Sequence, residues 1–150
     1  MAEQTIRERE KTKARLYQVL PFGKHAHKIA RVGGLFQTDV ERARVLSQLR
    51  LLKHWPPPLS EKSDELVGFE VEEIQHKGVK FLEIKFTRKG WLSHNGNLRV
   101  FAWVDEKNRT IWIVDGYWKK VNGGIEDYVK RAVARRVNYL RSWLQDTGRA

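Results

Sequence analysis

Between Lys85 and Tyr128 the sequence interleaves cations with flat rings: Lys85, Arg88, Lys89, Trp91, His94, Arg99, Trp103, Tyr117, Trp118, Lys119, Lys120 and Tyr128. That mixture suits single-stranded nucleic acid, with cations for the phosphates and rings on which bases stack for roughly 1–3 kcal/mol each. The same residue types have plainer uses. A tryptophan in a strand of a small domain is more often core than stacking platform, so Trp103 and Trp112 are expected mainly to pack. Lysines commonly coat a solvated face. Tyr117-Trp-Lys-Lys120 is harder to dismiss, because a strand end fixes side chains in space and leaves them open to a ligand. His94 titrates near neutrality and is a candidate acid or base, although an exposed loop histidine is the plainer reading. A different chemistry is written in Glu83-Ile-Lys85, which reads Glu-x-Lys. With Asp64, Glu70 or Glu72 it could hold Mg²⁺ while the lysine assists an attacking water. Any charged strand yields that pattern by chance. Cysteine is absent, which removes disulfides, a thiol nucleophile and every thiolate zinc site.

The whole chain carries 29 Lys and Arg against 18 Asp and Glu over 150 residues, a formal net charge of +11. A charge of that sign and size points to a polyanionic partner, most commonly nucleic acid. Six of the 18 acids (Glu61, Asp64, Glu65, Glu70, Glu72, Glu73) are bunched between 61 and 73, whereas from Lys85 to Lys120 the acids are Glu106, Asp105 and Asp115. The excess charge thus falls on the segment that carries the candidate residues. A 41% apolar fraction with six Trp, six Phe and four Tyr is enough for one core, which argues against wholesale disorder. No run approaches the roughly 18–20 apolar residues of a membrane span, and Met1-Ala-Glu-Gln-Thr5 lacks the apolar region of a signal peptide. A cytoplasmic protein with no membrane partner is expected.

The elements that must position these residues follow from periodicity. Residues 1–14 read as a charged arm, 15–146 as one domain and 147–150 as a tail. Arg15–Phe22 alternates as a first strand ended by Pro21-Phe-Gly23, and a short helical piece closes at Gly33-Gly34. Thr38-Asp-Val-Glu41 is a capping-box pattern opening a helix over about 39–54, which Trp55-Pro-Pro-Pro58 stops. A connector over 55–64 leads to a weakly patterned strand at 66–74, loaded with glutamates. Val79–Phe86 is a firmer strand, with Val79, Phe81, Glu83 and Lys85 on one face. Leu98–Val104 and Thr110–Val114 form a hairpin. A helix over about 125–145 places Ile125, Val129, Ala132, Val133, Val137, Leu140 and Leu144 on one arc, with Lys130, Arg131, Arg135 and Arg141 opposite. Tyr128 falls near the apolar arc, leaving buried and ligand-facing readings equally open. The sum is an α+β fold: a small antiparallel β-sheet with N-terminal helices and a long C-terminal helix.

From Val79 to about Tyr139 the chain resembles the RelE/HigB superfamily of type II toxin–antitoxin ribonucleases, particularly its HigB-like, phage-derived branch. The residues that carry the resemblance are Leu82-Glu-Ile-Lys85, Leu98-Arg-Val-Phe101, Asp105 at the hairpin turn, Ile111-Trp-Ile-Val114, Gly116-Tyr-Trp-Lys-Lys120 and Ala132-x-x-Arg135-x-x-x-Tyr139. Their order and spacing over about 60 residues persuade, rather than any one piece. Glu83 stands where RelE-type members have a lysine, and fits the HigB-like pattern in a structural role. The chain is longer than typical members by its arm and its 55–64 connector.

The resemblance implies a RelE-like fold and metal-independent, cofactor-free cleavage of mRNA, usually on the ribosome, with an antitoxin as the neutralising partner. In that reaction the 2′-hydroxyl loses a proton and attacks the adjacent phosphorus, and the 5′-oxygen departs to leave a 2′,3′-cyclic phosphate. A base, an acid and positive charge on the phosphorane are required. By resemblance Arg99 would grip the phosphate, Lys85 would add charge or accept a proton, and one of Lys119 and Lys120 would face the cleft. Tyr128 would aid proton transfer or stack on a base. The same cations in a non-catalytic module would only bind RNA, DNA or the ribosome, with affinity that falls steeply with salt.

Overall fold

Two hairpins build the centre of the molecule. The computed structural model describes residues 16–31, 34–36, 38–55, 69–86, 97–119 and 124–150. In chain order these give β1 (Gln18–Pro21), α1 (Lys24–Ala30), α2 (Asp39–Leu49) followed by a 3₁₀ turn (Arg50–His54), β2 (Glu70–His76), β3 (Val79–Phe86), β4 (Leu98–Asp105), β5 (Thr110–Trp118) and α3 (Asp127–Asp146). The five strands form one sheet in the order β1-β5-β4-β3-β2. Lys77 and Gly78 join β2 to β3 with φ of 49° and 81°. Positive φ at both central residues makes the two-residue turn whose twist matches that of the flanking strands. The glutamate-rich segment is therefore a genuine edge strand, paired residue for residue with β3.

The first strand departs from expectation. It spans four residues and runs parallel to β5, so the sheet is antiparallel except at this edge. The helix expected over 39–54 is α-helical only to Leu49 and tightens to 3₁₀ before Trp55, which adopts ψ 145°. Trp55 precedes proline, and the proline ring drives the residue before it out of the helical region. At the other end the Thr38 hydroxyl accepts from the Glu41 amide at 3.3 Å, as the capping pattern predicts. The strand expected at 66–74 lies at 70–76, and β5 runs four residues past Val114.

The sheet separates two cores. On one face α1, α2 and the 3₁₀ turn pack Ala26, Ile29, Val45, Leu49 and Leu52 onto Leu82, Ile84, Val100 and Ile111. On the other, α3 packs Val129, Val133, Val137, Leu140 and Leu144 onto Val79, Phe81, Phe101, Trp112 and Val114. The expected arc of α3 holds, except that Ala134 is buried and Ala132 only partly so. Near the junction of α1 and β5, a Cβ on Gly116 would lie 3.0 Å from Ile29 Cδ1, so this glycine is what lets α1 lie close. A register shift at Phe101/Ala102 puts Asp115 and Tyr117 on the α3 face with Phe101 and Arg99.

Beyond α3 the 147–150 segment folds back on the β4–β5 turn, where Asn108 Nδ2 donates to the Arg149 carbonyl at 2.8 Å. The 1–14 arm, most of the 55–64 connector, Trp91, His94 and Lys120 lie outside the described residues. Among the described residues no helix is long and apolar enough to cross a membrane.

Candidate functional site

Strand register brings three of the six predicted residues, Lys85, Arg99 and Lys119, to one end of the sheet. Lys85 on β3 is paired with Arg99 on β4, and Arg99 with Tyr117 on β5. Period-two alternation along β3 and β4, with the register shift against β5, puts all three on the α3 face, at the sheet end nearest the start of α3. Lys119 follows just past the end of β5, its amide held by the Asn97 carbonyl at 2.7 Å. This is the cluster that the interleaved cations and rings anticipate.

Its electrostatics differ from a bare cationic face. Arg99 is 3% exposed and Glu83 1%. Arg99 Nε lies 3.2 Å from Glu83 Oε2, an ion pair rather than a well-aligned hydrogen bond, and Arg99 Nη1 donates to the Leu98 carbonyl at 3.3 Å. Lys85 Nζ bridges Glu72 and, at 4.0 Å, Glu83. Lys119 Nζ donates to Glu126 Oε1 at 3.1 Å, and the Tyr117 hydroxyl to Glu126 Oε2 at 3.0 Å. Three cations (Lys85, Arg99, Lys119) thus meet three carboxylates (Glu72, Glu83, Glu126), and the cluster is balanced. Burial pushes the Glu83 carboxyl up from its ordinary range, against the opposing pull of Lys85 and Arg99. Glu126 is held low, first by its own backbone amide and then by Lys119. Burial and donation to Glu126 raise the Tyr117 hydroxyl well above an ordinary phenol, so Tyr117 is a fixed donor and not a base.

The acids have a topological origin. Glu72 belongs to the acidic bunch at 61–73, and the β2–β3 hairpin carries it opposite Glu83 and onto Lys85. Sequence reasoning kept the acidic and basic segments apart. The Gly78 turn between two alternating runs was the signal that joins them. Glu126 was likewise missed as the shared partner of Tyr117 and Lys119, and strict alternation from Ile111 would put Tyr117 on the opposite face, so only the register shift at Phe101/Ala102 brings it beside Arg99.

Other predicted residues fall elsewhere. Tyr128 is 63% exposed, because it sits one position, about 100° of helix, before the buried Val129; a buried reading is therefore excluded. It stands near enough to Tyr117 to add to the rise of that hydroxyl. Asp105 holds the hairpin turn, accepting from Asn108 N and Nδ2 at 3.2 and 2.7 Å and from the Trp112 indole at 3.2 Å. Trp112 is core, and Trp103 lies under Arg141, 5.9 Å from ring to guanidinium. For the Glu-x-Lys alternative, Glu72 and Glu83 are both turned to cations, and among the described residues no group of three acids or histidines is placed to hold a metal.

No protein-family model matches the chain, and no curated protein matches it. A search of solved structures finds similarity to the crystal structure of an archaeal RelE-RelB complex from Pyrococcus horikoshii OT3, at 15% identity and a TM-score of 0.46, over 71% of this chain and 99% of that one. Overlap of this extent says nothing about which residues act.

Proposed function

We propose that the chain is a metal-independent endoribonuclease of the toxin–antitoxin type, cleaving mRNA by attack of a 2′-hydroxyl on the adjacent phosphate. The observation that carries the reading is the register Lys85–Arg99–Tyr117 with Lys119 beside it, which gathers three cations at one sheet end. Of their three carboxylate partners, Glu72 and Glu126 are substantially exposed, with side chains 53% and 41% accessible. Lys85 and Lys119 are themselves 22% and 4% accessible, so it is the carboxylates that swing out to water and leave the two ammonium groups to a scissile phosphate. Glu83 stays buried and holds Arg99 behind them, where the guanidinium adds positive field to the phosphorane. Lys85 or His94 serves proton transfer at the 2′-hydroxyl. Tyr128, exposed at the start of α3, offers a ring to a flanking base. An acidic antitoxin answers the +11 charge, and the ribosome is where the mRNA is presented.

A second reading, a non-catalytic module that binds RNA, is favoured by one observation. The strand arginine is buried and already neutralised by Glu83. Incubating the protein with translated mRNA in excess EDTA separates the readings. Cleavage that survives chelation supports the ribonuclease, and salt-sensitive binding without cleavage supports the module. Loss of cleavage on chelation would instead point to the Glu-x-Lys chemistry.

A further inference from the structure

Beside the candidate site, a cavity of about 700 Å³ opens between α1 and α3. Phe22, Lys24 and His25 line it from the β1–α1 junction, and Arg135, Arg136 and Tyr139 from α3. Its volume lies within the roughly 300–1,000 Å³ of small-molecule sites. Asp115 is two residues before Tyr117 on the same sheet face, about 7 Å along the strand, so cavity and cluster adjoin.

The cavity has a fixed polar side. Asp115 Oδ1 holds Lys28 Nζ at 3.1 Å, and Asp115 Oδ2 holds Arg136 Nε at 3.3 Å. Arg136 Nη2 lies 3.1 Å from His25 Nε2. A guanidinium only donates, so Nε2 accepts and the imidazole proton sits on Nδ1. Lys28 and Arg136 thus share the one carboxylate, and Lys24 and Arg135 add two further cations on the cavity wall, a local charge of about +3 with His25 neutral. Among the described residues Arg135 and Lys24 enter no ion pair. This is the reverse of the balanced cluster next door: here cations are left over.

The cavity also has an aromatic side. Tyr139 is 69% exposed, its ring 5.9 Å from that of Phe22. Phe22 in turn rests on Trp143 and Trp112, at 5.3 and 6.2 Å. An exposed ring resting on Phe22, itself held by two tryptophans, presents a stacking surface with little freedom to lose; Arg135 stands one turn before it on α3 and Lys24 faces it from α1.

The geometry points to this cavity as a nucleotide-binding subsite for single-stranded RNA, the base stacked on Tyr139 and the phosphate held by Arg135 and Lys24. It takes RNA as the ligand from the proposed function and extends that site by one anchored nucleotide. The occupant is planar and anionic because the walls are aromatic and cationic.

The test uses the full chain and a fluorescent single-stranded oligonucleotide with 2′-O-methyl sugars, which binds but lacks the attacking hydroxyl. Tyr139→Ala weakens binding roughly tenfold and Tyr139→Phe leaves it unchanged, since stacking needs the ring and not the hydroxyl. Arg135→Ala lowers the slope of log affinity against log salt by about one, while Arg131→Ala, on the neighbouring exposed position of α3, changes it less. Thermal unfolding of each variant separates loss of the site from loss of the fold. Unchanged affinity in Tyr139→Ala, equal effects of Arg131→Ala and Arg135→Ala, or no binding of the oligonucleotide at all overturns the subsite. The outcomes divide cleanly: binding that depends on Tyr139 without cleavage of natural RNA sinks the ribonuclease and keeps the subsite. Cleavage with affinity indifferent to Tyr139 does the opposite.

Discussion

Replacing Glu83 by glutamine tests whether the strand arginine is held in a desolvated ion pair. Glu83 and Arg99 are 1% and 3% exposed, 3.2 Å apart, and Lys85 keeps Glu72 when Glu83 is lost. The glutamine fills the same volume but leaves a buried guanidinium without a counter-charge, which costs about 3–5 kcal/mol. For a chain of this size each kcal/mol lowers Tm by roughly 2–4 °C, so a fall of about 6–20 °C is expected. Removing both charges with Glu83→Leu and Arg99→Met restores much of the loss, because desolvation no longer has to be offset; the coupling energy is about 2 kcal/mol within the usual range for contacting residues. Urea unfolding of Glu83→Leu, Arg99→Met and their double variant closes the cycle, and Glu83→Gln measured beside them gives the cost of the lost counter-charge. A single-variant cost under about 1 kcal/mol, or strict additivity, would refute the reasoning that the pair is buried and coupled. The result also decides how activity losses at Arg99 are read, since Arg99→Ala leaves Glu83 as the stranded charge.

Three further outcomes are expected. Lys119→Met removes a phosphate donor and lowers the rate of RNA cleavage by about a hundredfold with KM little changed, measured on purified folded protein; an unaltered rate places Lys119 outside the chemistry. His25 is held below its ordinary value by burial and then by Arg136, with Lys28 and Lys24 in the same sense and Asp115 opposing. The unfolded chain therefore binds more protons, and the stabilisation from a neutral His25 is present above about pH 6.5 and fades as pH falls below it. His25→Gln should show a shallower loss of urea midpoint between pH 7 and 5, and parallel curves would contradict the assignment. Gly116→Ala brings a Cβ to 3.0 Å from Ile29 Cδ1 and destabilises by about 1–3 kcal/mol, which Ile29→Val relieves; no relief in the double variant would place the strain elsewhere.

What the sequence discloses depends on how local the information is. The Val79–Phe86 strand, the β4–β5 hairpin and the long C-terminal helix are written in alternation and in a 3.6-residue period, and the structure has all three. The parallel pairing of β1 with β5 is absent from any local pattern, because its partner lies about ninety residues away and no turn specifies it. The stop at Trp55 was legible, since that residue precedes a proline, whereas the tightening from α to 3₁₀ at Arg50 was not. At the candidate site, alternation put Lys85 on the face of Val79, Phe81 and Glu83, and the family resemblance singled out Arg99; the pairing of the two comes from the β3–β4 register. Their neutralisation was hidden, because the carboxylates arrive through the β2–β3 register and from Glu126 just before α3. Tyr139 entered the sequence reading only as the end of a motif, and its place against Phe22 needs α3 docked across the end of β1.

The end groups of cleaved RNA test the central claim most directly. Translated mRNA incubated with the protein in excess EDTA should yield fragments ending in a 2′,3′-cyclic phosphate and beginning with a 5′-hydroxyl, read by mass spectrometry. Fragments with 5′-phosphate and 3′-hydroxyl ends, or intact RNA recovered from a salt-sensitive complex, would contradict it.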